Sequence, residues 1–172
     1  EENNDMSIAI RAAACGDIEA GRAAVSRYNE YLDSIGSEEA RLDFDGLFIL
    51  AKLIYLVAGQ EEISDEWRIC TGEVVLNRVA SPEFPDSIEA VIYQQGQYEG
   101  ADSDYFRYVL TPSPECIEAA LRLLRGERLM EAQVVFQADT PQGGGLYRSF
   151  YHPDVGNAFF CTSPNTYLYP KE

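Results

Sequence analysis

Two predicted helices meet in one stretch of the sequence, which is Thr71-Gly72-Glu73-Val74-Val75-Leu76-Asn77-Arg78-Val79-Ala80-Ser81-Pro82-Glu83-Phe84-Pro85. Its first half mixes apolar and polar residues in the way that is typical of the last turns of a helix. Pro82 ends this helix, because proline lacks an amide donor and disfavours helical geometry in the residue before it. Pro85 predicts the start of a second, short helix over residues 87–93.

The composition around this stretch is that of a folded, acidic protein. The chain has 172 residues, of which 46% are hydrophobic, so it can bury a substantial core. Its 13 basic and 29 acidic residues give a net charge of −16, which argues against nucleic acid and anionic lipid surfaces as partners. Solubility explains this acidity more simply than a cationic partner does.

No segment predicts a membrane span, since none has about 18 consecutive apolar residues. The longest apolar run, residues 47–58, is interrupted by Lys52. The sequence begins with Glu-Glu-Asn-Asn-Asp and no methionine, so we expect that a targeting segment has been removed.

Metal and cofactor sites are not predicted. The only histidine is His152, and no two of the cysteines have the spacing of a metal-binding knuckle. Four cysteines allow three disulfide pairings, but buried free thiols are favoured because a chain of this size needs no cross-links. The cysteines are Cys15, Cys70, Cys116 and Cys161.

Helical periodicity dominates the first two thirds of the chain. Residues 5–36 predict a helical hairpin, and a polar linker follows at 37–41. Asp43 can cap a helix over residues 44–58, which is apolar on nearly all sides and therefore belongs in the centre of the fold. Ser64 can cap the next helix, which continues into the stretch from Thr71 to Pro85.

The last third of the chain changes character. Residues 94–112 are polar and aromatic and predict an irregular loop, before a helix that runs from Ser113 to Gly126. Short β-strands are then predicted at 133–137, 145–150 and 157–161. The sequence therefore predicts a mainly helical α+β fold with a small late β element. We divide it into an N-terminal hairpin and linker, 1–41, and a main domain, 42–172.

Five motifs in the main domain resemble those of one known family. They occur in order between residues 43 and 161 and are Leu50-Ala51-Lys52-Leu53-Ile54-Tyr55, Val74-Val75-Leu76-Asn77-Arg78-Val79 with Ser81-Pro82-Glu83-Phe84-Pro85, Val91-Ile92-Tyr93-Gln94 with Gly96-Gln97-Tyr98, Val134-Val135-Phe136-Gln137-Ala138, and Phe159-Phe160-Cys161. In these motifs the chain resembles the SleB-type cell wall hydrolases, the spore-cortex-lytic enzyme family. The hairpin at 5–36 lies outside the resemblance.

The resemblance implies a lysozyme-like, goose-type fold that acts on the glycan strands of peptidoglycan. Members of the family resemble lytic transglycosylases, in which one glutamic acid protonates the glycosidic oxygen. The resulting carboxylate then helps the 6-hydroxyl of the sugar close onto the anomeric carbon. This chemistry needs an acid with a raised pKa, but neither a metal, a cofactor nor a second carboxylate. The resemblance also implies an extracellular or cell-wall-associated location.

The sequence departs from the family pattern at the residue that matters most for catalysis. The usual Tyr-Ala-Glu-Ala-Gly at the end of the central helix is here Tyr55-Leu56-Val57-Ala58-Gly59, so Val57 stands where the acid is expected. We therefore expect lost or reduced hydrolysis. An active enzyme that uses Glu73 or Glu61 as a relocated acid is the alternative hypothesis, and the sequence leaves the choice open.

Glycan-binding residues are expected among glutamines and tyrosines. Gln97 and Tyr98 are the first candidates, and Tyr55 and Tyr147 are further ones, because such side chains bind the edges and faces of sugars. We expect hydrogen bonds from Asn77 and Arg78 to tie the end of the helix to the proline-rich loop, residues 81–85. A third hypothesis makes the N-terminal hairpin a site for a protein partner.

Overall fold

The computed structural model describes residues 4–169, which form an α+β protein as the sequence predicts. The six α-helices of this part are α1 Asp5–Cys15, α2 Ile18–Ser34, α3 Phe44–Ala58, α4 Asp65–Ala80, α5 Ile88–Ile92 and α6 Pro114–Leu124. The strands are β1 Val134–Ala138, β2 Gly145–His152 and β3 Gly156–Thr162. The lysozyme-like, goose-type arrangement stays a prediction.

The predicted helix starts are confirmed by side chains that cap them. Asp43 accepts a hydrogen bond from the Gly46 amide, and Ser64 accepts one from the Trp67 amide. Each cap satisfies an amide that has no acceptor within its own helix. Local sequence alone therefore sets where α3 and α4 begin.

Helix α3 is the centre of the core, as its apolar surface predicts. It packs against α2, α4, α5 and α6, and Leu47, Leu50 and Leu53 are fully buried. Gly72 allows α4 to approach closely, because a Cβ atom there would lie 2.5 Å from Leu123 and 2.8 Å from Ile54. No other residue would fit at this crossing without displacing those side chains.

The N-terminal hairpin shares the core of the helical part. Ala9, Ala12 and Ala24 belong to the same buried cluster as α3 and α6. A Cβ atom at Gly21 would lie 2.2 Å from the Phe44 ring, so α2 and the start of α3 are in close contact. The boundary that we place at residue 41 stays a prediction.

The three strands form one antiparallel sheet in the order β1-β3-β2. A second hydrophobic cluster of the protein lies between this sheet and α4. There Trp67 stacks on Phe150, and Phe150 meets Phe160 edge to face. Ala58, the last residue of α3, belongs to the same cluster. The end of α3 therefore reaches the layer between the helices and the sheet.

The expectation of an irregular loop over 94–112 was wrong for its second half. Tyr105–Val109 forms a π-helical turn. The carbonyl oxygen of Arg107 accepts a hydrogen bond of 3.3 Å from the Lys52 ammonium, which also lies 4.8 Å from the centroid of the Phe106 ring. This buried lysine in α3 fixes the turn, and local sequence does not show such a distant partner.

The cysteines are free thiols, as expected, and three of them are buried, namely Cys70, Cys116 and Cys161. Burial raises the pKa of the Cys70 thiol to about 12, so this thiol is protonated and unreactive at neutral pH. Across residues 4–169, none of the helices has the length and apolar character needed to cross a membrane.

The proline-rich loop is bound to the end of the chain through Glu83. Its carboxylate accepts hydrogen bonds from the Tyr169 hydroxyl at 2.6 Å, the Asn165 amide at 2.6 Å and the Ser163 hydroxyl at 2.7 Å. These donors, Tyr169 first, lower the pKa of Glu83. We call residues 163–169 with Glu83 the C-terminal clasp.

The clasp should make stability depend on pH. Because the folded-state pKa of Glu83 is lowered, its contribution is present above the unfolded value of about 4.3 and is lost as the pH falls through the folded value. Glu83→Gln should therefore lower the melting temperature at pH 7 but much less at pH 3. Glu118→Gln, an exposed change on α6, is the control. An equal loss at both pH values would contradict this role of the carboxylate.

Candidate functional site

Arg78, near the end of α4, ties this helix to the sheet. This side chain is 4% exposed, and its Nε atom donates to the Val135 carbonyl at 2.7 Å. Its Nη1 atom donates to Gln97 Oε1 at 2.9 Å. One guanidinium thus connects α4, the loop that follows α5, and β1.

Aromatic rings surround the same guanidinium. Its carbon lies 4.6 Å from the centroid of Phe84, 5.6 Å from that of Tyr98 and 5.9 Å from that of Phe136. No carboxylate pairs with Arg78 anywhere in residues 4–169, and burial lowers its pKa. The cation is therefore balanced by ring faces and carbonyl dipoles alone.

Asn77 also binds β1, so its expected role at the proline-rich loop was wrong. Its Nδ2 atom donates to the Glu131 carbonyl at 3.0 Å and to the Val134 carbonyl at 2.9 Å. The Glu131 carbonyl precedes β1 and also accepts from the Val134 amide, whereas Val134 and Val135 belong to β1, an edge strand with an irregular register between Val134 and Phe136. Asn77 and Arg78 thus tie α4 to β1 and to the segment before it.

A pocket of about 340 Å³ lies in the loop that follows α5, and Tyr98 is one of its lining residues. Tyr93, Gln94 and Glu99 also line it. Gln94 Oε1 and the Tyr98 hydroxyl are both buried, and neither has a hydrogen-bond partner among the described residues. Such orphaned polar atoms indicate a place where a polar ligand or water is accommodated. We call this cavity the loop pocket.

The loop pocket lies against the end of α3. A Cβ atom at Gly100, a lining residue, would be 3.5 Å from Leu56 Cδ1. Leu56 directly precedes Val57, which is half-buried in the last turn of the helix. Val57 follows Leu56 at about 100° around the helix and packs against the helical core. Glu61 lies in the following turn and is exposed.

Glu73 is fully buried in the middle of α4. One carboxylate oxygen accepts a hydrogen bond from the Leu129 amide and the other accepts one from the Met130 amide at 2.7 Å. Burial raises the pKa of Glu73, and the two amides partly offset this. Both oxygens are thus engaged with the backbone in front of β1.

The other predicted binding residues are dispersed. Gln97 contacts Arg78 but does not line the loop pocket. Tyr55 is half-buried on α3, and Tyr147 is 41% exposed at the irregular register of β2. Gln94 was missed, because a single glutamine in a polar loop gives no signal until the fold encloses it.

One family model, described as Cell Wall Hydrolase, matches residues 64–165. The match begins at the cap of α4 and includes the loop pocket and the sheet, whereas Val57 and Glu61 lie before it. Searches of curated proteins and of solved structures find no significant match to the chain. Since the matched segment exceeds half of the 172 residues, this chain belongs to the Cell Wall Hydrolase family, as its SleB-type motifs predicted.

Proposed function

We propose that this protein binds the glycan strands of peptidoglycan at the loop pocket, and that cleavage of those strands is lost or much reduced. Membership of the Cell Wall Hydrolase family supports a peptidoglycan-directed function. The observation that carries the proposal is the closeness of Gly100, which lines the pocket, to Leu56, the residue before Val57 in the last turns of α3.

The pocket has the size and chemistry for part of a sugar chain. Its volume of about 340 Å³ is within the range of small-molecule sites. Tyr93 and Tyr98 line it, and Gln94 Oε1 is an acceptor without a partner among residues 4–169. The acidic side chains of Glu99 and Asp102 at its border disfavour anionic ligands. A neutral glycan therefore suits the site.

Loss of activity follows from the chemistry of a lytic transglycosylase. A single carboxyl group must first donate a proton to the glycosidic oxygen and then accept one from the 6-hydroxyl. Valine can do neither. We propose that Val57 occupies the place of this acid, so that the protein retains glycan binding without efficient bond cleavage.

The alternative is an active hydrolase with a relocated acid, Glu73 or Glu61. The contacts of Glu73 favour a structural role, because both its oxygens are occupied by backbone amides. Glu61 is exposed in the turn after α3, so its carboxyl group is accessible to a bound glycan. Glu61 is therefore the stronger candidate of the two.

Sedimentation and product-release assays on purified peptidoglycan distinguish these functions. We expect the protein to sediment with peptidoglycan sacculi and to release no anhydro-muropeptides detectable by mass spectrometry. Robust release of anhydro products would overturn the loss of activity, and Glu61→Gln and Glu73→Gln would then identify the acid. Failure to sediment would contradict glycan binding itself.

Tyr98→Phe tests the loop pocket. We expect glycan binding to weaken about tenfold, since a hydroxyl that bonds to a sugar is removed. Stability should be unchanged or slightly higher, because this buried hydroxyl has no partner within residues 4–169. Tyr151→Phe, at an exposed site on β2, is the matched control and should change neither quantity. Equal binding by both variants would exclude the Tyr98 hydroxyl from the site.

A location outside the cell or at the cell wall is part of the same proposal, because that is where peptidoglycan is found. A protein partner for the hairpin at 5–36 stays a prediction. Deleting the hairpin would remove part of the shared core, so surface substitutions such as Ile35→Ser, at a side chain 58% exposed, are the better test.

A further inference from the structure

A second cavity, larger than the loop pocket, lies beside the end of α4. Its volume is about 1050 Å³, and its walls are the last turns of α4, residues 128–133 and the C-terminal clasp. Leu76 and Ala80 line it. Successive residues of an α-helix are about 100° apart, so Arg78 points away from the face that carries Leu76 and Ala80. We call this cavity the clasp pocket.

Two opposite charges on one wall of the clasp pocket do not pair with each other. Arg128 Nη1 donates to the carbonyls of Leu123 and Glu127, which leaves Nε and Nη2 without a partner among the described residues. Glu131 Oε2 accepts from Gln133 at 2.6 Å, and no donor in residues 4–169 contacts Oε1. The wall therefore presents one cationic and one anionic group to a ligand.

The polar wall is held in a fixed position. The Glu131 carbonyl accepts from Asn77, which anchors the backbone of this segment to α4. On the opposite wall the Tyr169 hydroxyl bonds to Glu83 and lies 2.7 Å from the Ser81 hydroxyl oxygen. Tyr167, 82% exposed, adds an accessible ring at the rim. Arg128 and Glu131 are themselves exposed, so they lie at the mouth of the cavity, on a segment whose backbone Asn77 ties to α4.

We propose that the clasp pocket binds a short peptide that carries both a free carboxylate and a free amine, the chemistry of the peptide stems of peptidoglycan. Arg128 would bind the carboxylate and Glu131 the ammonium group. The peptide's amides face Gln133, and its apolar side chains face Leu76, Met130 and Ala132. A neutral glycan satisfies neither charge, and this favours the peptide. The assignment rests on the proposed function in that the stems are part of the same polymer.

Calorimetric titration of the full chain with the synthetic tripeptide L-Ala–γ-D-Glu–L-Lys tests this proposal. The same tripeptide with its amines acetylated and its carboxyls amidated is the matched control. We expect the charged form to bind at least about tenfold more tightly, as one or two charge-assisted hydrogen bonds would provide. Arg128→Gln and Glu131→Gln should each weaken binding about tenfold, and Arg128→Lys should weaken it less.

Equal affinity for the charged and blocked peptides, or no binding of either, would overturn the proposal. A tetramer of N-acetylglucosamine that competes with the tripeptide, and whose own binding is lost in Arg128→Gln, would overturn it too. The clasp pocket would then be a glycan site. The two proposals fail separately. Tripeptide binding without sedimentation on peptide-free glycan contradicts the glycan proposal alone, and the reverse result contradicts the peptide site alone.

Discussion

Val57→Glu should give this protein lytic activity on peptidoglycan, with a gain of about 10²-fold or more over the unchanged chain, the usual contribution of a general acid. Position 57 is half-buried in the last turn of α3 and packs against the helical core. Partial burial raises the pKa of a carboxyl group and so increases its protonated fraction near neutral pH. In that form the group can donate a proton to the bond between two bound sugars.

The measurement is the release of anhydro-muropeptides from purified sacculi. Val57→Gln is the matched control, because the amide has nearly the same shape and polarity but cannot transfer the proton. Activity in the glutamate variant alone would support the equivalence of position 57 with the missing acid. If both variants fold, sediment with peptidoglycan and remain inactive, that equivalence is wrong.

Arg78→Ala should cause the largest loss of stability of any single change discussed for α4. The truncation leaves the Val135 carbonyl and Gln97 Oε1 without their donor and opens a cavity among Phe84, Tyr98 and Phe136. The buried Val135 carbonyl without its donor and a cavity together cost about 3 kcal/mol or more, whereas the exposed Gln97 can turn to water. Chemical denaturation at pH 7 measures this directly.

Arg78→Met separates the charge from the packing. Methionine fills the space between the rings and removes a buried cation that has no anionic partner, so its loss of stability should be smaller than that of alanine. Arg11→Ala, at an exposed position of α1, should change stability by less than about 0.5 kcal/mol. A methionine variant as unstable as the alanine variant would show that the hydrogen bonds, and not the packing, dominate.

The prediction for Val57 depends partly on local sequence and partly on contacts between distant segments. The start of α3 at Phe44 and its end at Ala58 could be predicted, because Asp43 and Gly59 act through neighbours in sequence. The position of Val57 in the last turn follows from the same local signals. The contact between Leu56 and Gly100 could not be predicted, since it joins residues more than forty positions apart.

For Asn77 and Arg78, too, the secondary structure could be predicted from the sequence but the bonding partners could not. Their helical placement was correct, but the hydrogen bonds of Asn77 and Arg78 go to carbonyls of β1 and of Glu131 before it, and Arg78 meets the proline-rich loop only through the ring of Phe84. These carbonyls lie at the edge of the sheet, a position that only the assembled fold sets. A side chain's need for a partner is visible in sequence, whereas the identity of a distant partner is not.

The α-helices, their caps, the three strands and the family could be predicted from the sequence, because they depend on short-range hydrogen bonding, periodicity and local motifs. Three features could not be predicted in this way: the bonds of Glu73 to two backbone amides, the position of Tyr98 in the wall of the loop pocket, and the cavity beside the end of α4. Burial and long-range contacts set these features, and they arise only when segments far apart in the chain pack together.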